Sequence, residues 1–269
     1  MNFARIQSPS SINTYRQCPR RYFFSYIMQL PSLPSIHLIR GNIVHSTLED
    51  FFKIEPTTLS KEGFEIELNV ILLESFNKHW MNKESKLNEL DLTAEQLAFY
   101  KDESMRMLNN WFQGFMNKLN LRMEKLEFVE SFNYIKPKTE LQYQSTELGV
   151  RGFIDAIHEE KDFVTLIDYK TSKKDTLTDD YKLQLGIYAL MYEEQHGVRP
   201  NRVGVNFLKY SEKFCHVDDQ LIEFAKYEIR KVHEGTQTKE IKDYPKKESA
   251  LCKWKTGQCD YFHYCSRTK

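Results

Sequence analysis

Residues 163–170 read Phe163-Val164-Thr165-Leu166-Ile167-Asp168-Tyr169-Lys170. This run is rich in β-branched and aromatic residues, so it predicts a β-strand. Successive side chains of a strand point to opposite faces, which places Asp168 and Lys170 on the same face as two apolar side chains. An acidic and a basic group therefore end an otherwise apolar strand face.

The segment before this strand, Gly149 to His158, predicts a second strand and hence a β-hairpin. A two-residue turn at Lys161-Asp162 would place Asp155 opposite Asp168. A four-residue loop would move Asp155 two residues along on the same face. Either turn brings two carboxylates together with the ammonium group of Lys170.

Two neighbouring carboxylates repel each other unless a cation lies between them. Mg²⁺ prefers such an oxygen site, and a bound metal ion can polarise a phosphoryl oxygen and activate a water molecule. Lys170 would then stabilise the developing charge or orient the attacking water. The alternative is a purely structural hairpin that carries an Asp–Lys pair on its surface without a catalytic role.

The pattern on either side of the hairpin predicts an α/β fold. Residues 61–126 are helical in pattern, and a helix followed by a strand and another helix comes after the hairpin. This order predicts an α/β core with a helical insertion. The predicted helices cover 12–28, 40–53, 179–196 and 218–233, and the predicted strands cover 127–136, 149–158, 163–170 and 202–210.

Composition excludes some classes of protein and leaves others open. The chain has 269 residues with 38 basic and 38 acidic side chains, so its global charge does not argue for a nucleic-acid partner. No apolar run approaches the roughly 20 residues of a membrane-spanning helix, and residues 1–10 lack the core of a signal peptide. We therefore expect a cytoplasmic protein without a membrane partner.

Two polar features outside the hairpin have both a structural and a functional interpretation. His45 lies among apolar helical positions, where a histidine is more often a core residue than a ligand. Gln184 and Tyr188 are four residues apart, so they share one helical face. Glu49 and Glu130 are further candidates for a metal shell; we expect Glu49 to face solvent and Glu130 to lie near the site.

Four of the five cysteines form a candidate metal site. Cys252, Cys259 and Cys265 lie close together near the C-terminus, whereas Cys18 belongs to the first predicted helix and Cys215 looks unrelated. In a reducing compartment, cysteines indicate metal sites or buried thiols rather than disulfides. Four thiolates can hold Zn²⁺ or an iron–sulfur cluster. Such a site would join the first helix to the last segment.

Together these segments resemble the PD-(D/E)XK nuclease superfamily in its RecB-like branch. They are closest in plan to the four-cysteine exonucleases of CRISPR adaptation and to AddB-type nuclease domains. The resemblance implies a restriction-endonuclease-like core, with a central mixed sheet flanked by helices. It also implies one nuclease domain over 1–269, with a helical insertion over 60–126 and a metal-cluster region formed by 242–269 and Cys18.

The resemblance also implies roles for individual residues. His45, Asp155, Asp168 and the Tyr169 carbonyl would bind Mg²⁺ or Mn²⁺, and Lys170 would be catalytic. Gln184 and Tyr188 match a Gln-x-x-x-Tyr motif that faces the DNA and the active site. The four cysteines, Cys18, Cys252, Cys259 and Cys265, would hold a 4Fe–4S cluster, with Zn²⁺ as the alternative. The family usually places two residues between the second and third cysteines, and here there are six.

The implied function is that of a metal-dependent hydrolase of DNA phosphodiester bonds. We expect an exonuclease that acts on single-stranded DNA or on free DNA ends, in DNA repair or recombination. The alternative is a non-catalytic module that grips DNA ends for a helicase or integrase partner, and a nuclease acting on RNA also fits. The sequence contains no Gly-x-x-x-x-Gly-Lys-Ser/Thr loop, so any helicase would be a separate chain.

Overall fold

The computed structural model describes residues 3–254 and 257–267, and the ends of the expected 1–269 domain lie outside them. The described residues form a five-stranded mixed sheet in the order β1-β2-β3-β4-β5. All neighbouring strands are antiparallel except β3 and β4, which are parallel. The strands are β1 (Lys138–Ser145), β2 (Val150–Glu160), β3 (Phe163–Lys170), β4 (Arg202–Phe207) and β5 (Glu212–His216).

Helices cover both faces of this sheet. In chain order they are α1 (Pro9–Gln17), α2 (Pro19–Tyr22), α3 (Ile36–Phe51), α4 (Phe64–Met81), α5 (Glu84–Asn88), α6 (Ala94–Met123), α7 (Phe128–Ile135), α8 (Asp179–His196), α9 (Asp219–Gly235) and α10 (Phe262–Arg267). A short hairpin near the C-terminus pairs Lys253–Trp254 with Gly257–Gln258. No helix among residues 3–254 and 257–267 is long and apolar enough to cross a membrane.

The alternation of side chains along β3 divides the core into two halves. Leu166 packs with β4 and with the buried faces of α8 and α9. Ile167 and Tyr169 point the other way and pack against aromatic side chains of α3, α6 and α7. The predicted helical stretch is thus confirmed, and its helices cover one face of the sheet.

Most of the predicted α/β pattern is observed. The strands predicted over 149–158, 163–170 and 202–210 correspond to β2, β3 and β4, and the helix predicted over 179–196 has these bounds. That helix ends at Gly197, which adopts a left-handed conformation with φ 70°. The α/β class with a central mixed sheet is therefore confirmed.

The strand predicted over 127–136 is wrong. This segment is α7, because Phe128, Phe132 and Ile135 recur at helical spacing and bring their side chains to one face. The strand that borders β2 is instead β1, which starts after α7. The sequence analysis also did not predict β5.

The single helix predicted over 12–28 is also wrong. The chain breaks at Cys18, whose backbone is extended with φ −161° and ψ 111°. The cause is Pro19, since a proline disfavours helical geometry in the preceding residue. The segment instead forms α1, α2 and a π-helical turn over Phe23–Ile27. As a result Cys18 lies at the junction between α1 and α2.

Candidate functional site

The β2–β3 hairpin has the shorter of the two turns considered from sequence. Its turn consists of Lys161 and Asp162, and the register pairs Ala156 with Ile167. The same register places Asp155 opposite Asp168. Both carboxylates are buried, with 7% and 2% of their surface exposed. Two acidic groups thus lie side by side at the end of a strand pair.

Helix α3 brings His45 to this pair. His45 Nδ1 lies 3.4 Å from Asp155 Oδ2 and 3.9 Å from Glu140 Oε1. Ligand atoms of these three residues all lie within 4.8 Å of one another. On its other side the ring places Nε2 2.9 Å from the Tyr169 carbonyl oxygen. A histidine nitrogen and two carboxylates thus converge on one point.

Asp168 is held from two directions. Lys170 Nζ lies 2.6 Å from Asp168 Oδ2 and forms an ion pair with it. From α8, the Gln184 side-chain amide donates a hydrogen bond of 2.8 Å to Asp168 Oδ1, and the Tyr188 hydroxyl lies 3.5 Å from the same atom. Asp155 is fixed in turn by the Tyr169 backbone N–H, which donates to Asp155 Oδ2 at 2.7 Å. The structure thus brings all the predicted site residues of the hairpin, α3 and α8 together.

The pKa values of these side chains are shifted by burial and by the closely spaced carboxylates. Burial raises the pKa of Asp168 to about 6, with Lys170 opposing that rise and Asp155 adding to it. Burial alone would lower the pKa of His45, but Asp155 and Glu140 raise it to about 10. Burial also disfavours the charged form of Lys170, yet Asp168 and Asp155 raise its pKa. The carboxylates thus stabilise every positive charge placed among them.

This donor set fits a divalent cation. Carboxylate oxygens suit Mg²⁺ and Mn²⁺, and a neutral imidazole nitrogen is a common additional ligand. If His45 Nε2–H donates to the Tyr169 carbonyl, then the Nδ1 lone pair faces Asp155 and Glu140. A hydrogen bond on the far ring nitrogen is the usual device that orients a metal-binding histidine.

Glu140 is the member of the group that the sequence analysis missed. It lies on β1 between residues that pair with Ile154 and Ala156, so it is opposite Asp155. Its backbone has a positive φ of 49°, which is uncommon for a residue with a side chain. A correct prediction of β1 would have found it from this register alone.

The two glutamates named from sequence lie elsewhere. Glu130 is exposed on α7 rather than on a strand, and it does not belong to the group of candidate ligands. Glu49 is half-buried, borders the same cavity as His45 and Glu140, and pairs with Lys53 at 2.8 Å. With 33% of its side chain exposed, Glu49 remains in contact with solvent, as expected.

The four cysteines of the second candidate site border one cavity of about 420 Å³: Cys18, Cys252, Cys259 and Cys265. All five cysteines of the chain are described, and none of them forms a disulfide with another described residue. Among the described residues, no three cysteine sulfurs lie within 4.8 Å of one another. Burial raises the pKa of Cys259 and of Cys265. Folding thus brings the distant cysteines to one place without closing them into a tight group.

The surroundings of this cavity are aromatic on one side and basic on the other. A buried aromatic cluster packs against Cys259 and Cys265, with Tyr22, Phe23, Phe24, Tyr244 and Tyr261 as its members. Basic side chains also line the cavity, namely Arg20, Arg21, Lys246, Lys247 and Lys253. Cationic neighbours favour thiolates over thiols.

Comparisons with known proteins agree with this geometry. The family model of the PD-(D/E)XK nuclease superfamily matches residues 7–266. Among solved structures, a "putative exonuclease" from Eubacterium rectale superposes with a TM-score of 0.52 at 13% sequence identity. The match covers 92% of this chain and 86% of that one, and at this identity it supports the fold alone. No curated protein matches the sequence significantly.

Proposed function

Because the chain belongs to the PD-(D/E)XK nuclease superfamily, we propose that it hydrolyses DNA phosphodiester bonds with Mg²⁺ or Mn²⁺. We further propose that it is an exonuclease for single-stranded DNA or free DNA ends. The observation that carries the proposal is the convergence of His45, Asp155, Asp168 and Lys170 on one buried strand end. A domain that only binds DNA has no physical need for this set.

The candidate ligands of the divalent cation are His45, Glu140, Asp155, Asp168 and the Tyr169 carbonyl. When bound there, the cation would polarise a phosphoryl oxygen and acidify a water molecule. The Tyr169 carbonyl faces His45 Nε2 at 2.9 Å, so its first role is to orient the imidazole. Its own ligation of metal stays a prediction.

Lys170 is the candidate catalytic cation. Its side chain is 24% exposed, so the ammonium group reaches the surface while it contacts Asp168. At that position it can donate to a phosphate oxygen as negative charge develops there, or it can hold the attacking water. Gln184 fixes the other oxygen of Asp168 and so limits the directions in which that carboxylate can turn.

The preference for DNA ends rests on the resemblance to four-cysteine exonucleases. Fold alone does not determine the substrate, so this part needs a direct test. A helicase or integrase is the partner class that the same resemblance implies. The second candidate function is a non-catalytic module for such a partner, and it would give no role to the buried Asp155 and Asp168.

We also propose that the four cysteines hold a 4Fe–4S cluster rather than Zn²⁺. A tetrahedral zinc ion with bonds of about 2.3 Å brings its sulfurs to about 3.8 Å from one another. No three of the described cysteine sulfurs lie within 4.8 Å of one another, so the preference for iron–sulfur over zinc rests on the resemblance to four-cysteine exonucleases. The basic lining of the cavity would balance the negative charge of four thiolates.

The test of the nuclease uses end-labelled DNA. Wild-type protein and Lys170→Ala are incubated with linear and circular single- and double-stranded DNA, and with a matched RNA, in Mg²⁺, Mn²⁺ or chelator. We expect metal-dependent loss of linear DNA with the wild type alone. Cleavage of circles would indicate an endonuclease. No cleavage of any substrate by folded protein would support the binding module instead.

The test of the cluster measures metal rather than activity. Protein purified without oxygen is analysed for iron, sulfide and zinc, beside Cys18→Ser and the control Cys215→Ser. We expect about four irons and four sulfides per chain in wild type and control, and a lower melting temperature in Cys18→Ser. Zinc at one per chain without sulfide would overturn this assignment.

A further inference from the structure

A group of basic side chains surrounds one carboxylate beside the nuclease site. The Arg40 guanidinium on α3 is only 1% exposed and forms an ion pair with Glu103 on α6. The other oxygen of Glu103 lies 2.5 Å from Lys209 Nζ. Arg40 also donates a hydrogen bond of 3.3 Å to the carbonyl of Thr171. The pair thus ties α6 to α3 and to the residue that follows Lys170.

Lys173 completes this basic group. The Tyr210 hydroxyl donates to the Lys173 carbonyl at 2.7 Å, which fixes the loop between β3 and α8. The Lys173 side chain is exposed and makes no ion pair with any residue of the described parts of the chain. Arg40 and Lys209 therefore share the Glu103 carboxylate, and Lys173 adds a third positive charge without a paired acid, so positive charge exceeds negative charge among these four side chains.

His37 connects the basic group to the nuclease site. It borders the same cavity of about 410 Å³ as His45, Glu140 and Asp155. Its ring contacts Tyr100 edge-on, and the Arg40 guanidinium lies over the same Tyr100 ring. Burial lowers the pKa of His37, and the charges of Arg40, Lys173 and Lys209 lower it further. The positive field of the group therefore reaches the cavity that holds the acids.

The axial distances between residues of α3 can be compared with the distance between successive DNA phosphates. A helix rises 1.5 Å per residue, so Arg40 and His37 lie roughly 7.5 and 12 Å from His45 along its axis. A DNA strand advances about 3.4 Å per phosphate in a duplex. Along the α3 axis, Arg40 is thus about two phosphate spacings and His37 about three to four phosphate spacings from His45.

We propose that Lys173 and Lys209 bind backbone phosphates of the substrate strand beside the nuclease site. Arg40 and Glu103 are positioning residues, since Arg40 is buried and Glu103 carries the negative charge that holds Lys209, whose side chain is 13% exposed. Glu103 and Tyr100 belong to α6, so the helical insertion helps to position these contacts. This inference rests on the proposed nuclease function and assigns to it a binding surface.

The experiment measures how affinity for DNA depends on salt. A single-stranded oligonucleotide is titrated with Lys170→Ala protein, which binds without cleaving, and with the same protein carrying Lys173→Gln and Lys209→Gln. Each phosphate contact contributes about 0.7 to the slope of log K against log salt for single strands. We expect the slope to fall by about 1.4 in the variant. The control replaces two exposed lysines of α4 and α5, Lys78 and Lys86, with Gln.

A second measurement locates the contact. Methylphosphonate groups, which carry no charge, replace one phosphate at a time along the oligonucleotide. We expect substitution at one or two positions beside the cleaved bond to weaken binding about fivefold, and the same substitutions to have under about twofold effect in the lysine variant; a uniform effect along the oligonucleotide would overturn the contacts. Lys173→Gln alone is also tested, since that exposed residue can be changed without disturbing the core.

The outcomes separate this inference from the proposed function. Metal-dependent cleavage by wild type combined with an unchanged salt slope in the lysine variants would overturn the phosphate contacts and leave the nuclease in place. A reduced slope without any cleavage would overturn the nuclease and leave a nucleic-acid-binding surface. Equal loss of slope in the Lys78 and Lys86 control would show non-specific attraction and would overturn the assignment to Lys173 and Lys209.

Discussion

The Gln184 amide donates a hydrogen bond of 2.8 Å to Asp168 Oδ1, which links the middle of α8 to the end of β3. One turn further along α8, the Tyr188 hydroxyl accepts a bond of 2.7 Å from the same amide. The resemblance implies that this pair faces the DNA and the active site, and both side chains contact the Asp168 carboxylate. Gln184 is therefore a positioning residue for Asp168, and Tyr188 supports Gln184.

This arrangement predicts different effects for the two side chains. Gln184→Ala frees one oxygen of Asp168, so we expect kcat to fall about tenfold, which corresponds to about 1.4 kcal/mol, while KM for DNA changes little. Tyr188→Phe removes the bond of 2.7 Å from Gln184 but leaves the bond from Gln184 to Asp168, so we expect it to stay within about threefold of wild type. Steady-state kinetics on labelled DNA measure kcat and KM for both variants. An increase in KM alone for Gln184→Ala would mean that the amide contacts DNA.

Removal of the candidate catalytic cation should affect both activity and stability. Lys170→Ala leaves Asp168 buried without its ion pair, so we expect a loss of about 2–3 kcal/mol of unfolding free energy besides the loss of cleavage. The double variant Asp168→Asn/Lys170→Ala should regain most of that stability and stay inactive. Urea unfolding of the three proteins measures this. Equal stability of Lys170→Ala and wild type would show that solvent already screens the pair.

The metal requirement should reveal the role of Glu140. Glu140→Gln keeps the size of the side chain and removes one charged oxygen beside His45 and Asp155. We therefore expect the metal concentration for half-maximal cleavage to rise at least about tenfold. Glu49→Gln is the matched control, because Glu49 borders the same cavity but pairs with Lys53. If both variants respond alike, general negative charge rather than ligation explains the effect.

Acid should destabilise the protein through His158, which lies on β2 three residues after Asp155. Burial lowers its pKa to about 4, and the charge of Lys118 contributes further. The unfolded chain, with a pKa near 6.5, then binds a proton more readily than the folded one. Stability is therefore fully present above about pH 6.5 and is lost as pH falls toward 4.

His158→Gln isolates that contribution. Its unfolding free energy should fall less than that of wild type between pH 6.5 and 4, by on the order of 2 kcal/mol. Chemical unfolding at several pH values, with both proteins in the same buffers, gives the difference. Parallel curves for the two proteins would show that other groups cause the loss.

The contrast between β3 and β1 explains which parts of the fold the sequence could predict. β3 is buried, and its apolar run is a strong signal whatever surrounds it. β1 lies at the edge of the sheet and is mostly polar, so its pairing with β2 defines it rather than any pattern of its own. The aromatic residues just before it suit a strand or a helix, and tertiary packing selects the helix α7.

The residues of the candidate site likewise divide into those that local sequence predicts and those that only tertiary contacts define. Local sequence predicted that Asp155 and Asp168 share one face of the hairpin, and the structure selects the shorter of the two turns, which places them opposite each other. Glu140 could not be found, because it depends on β1, and the orientation of Gln184 toward Asp168 depends on how α8 returns to the sheet. Local sequence patterns therefore identify the site residues that lie on clearly predicted strands. The other site residues can be found only from the contacts between strands and helices.

Cys18 and Cys252 border the same cavity although more than two hundred residues separate them. At about 5–20 residues per second, a ribosome makes Cys18 roughly 10 to 50 s before Cys252. During that interval Tyr22 and its neighbours lack Tyr244 and Tyr261, so the nascent chain carries an open aromatic surface and an unmatched thiol. The proposed catalytic groups, by contrast, are all made once Tyr188 has been added. The aromatic cluster beside the cysteines can therefore form only after the proposed catalytic residues have been synthesised.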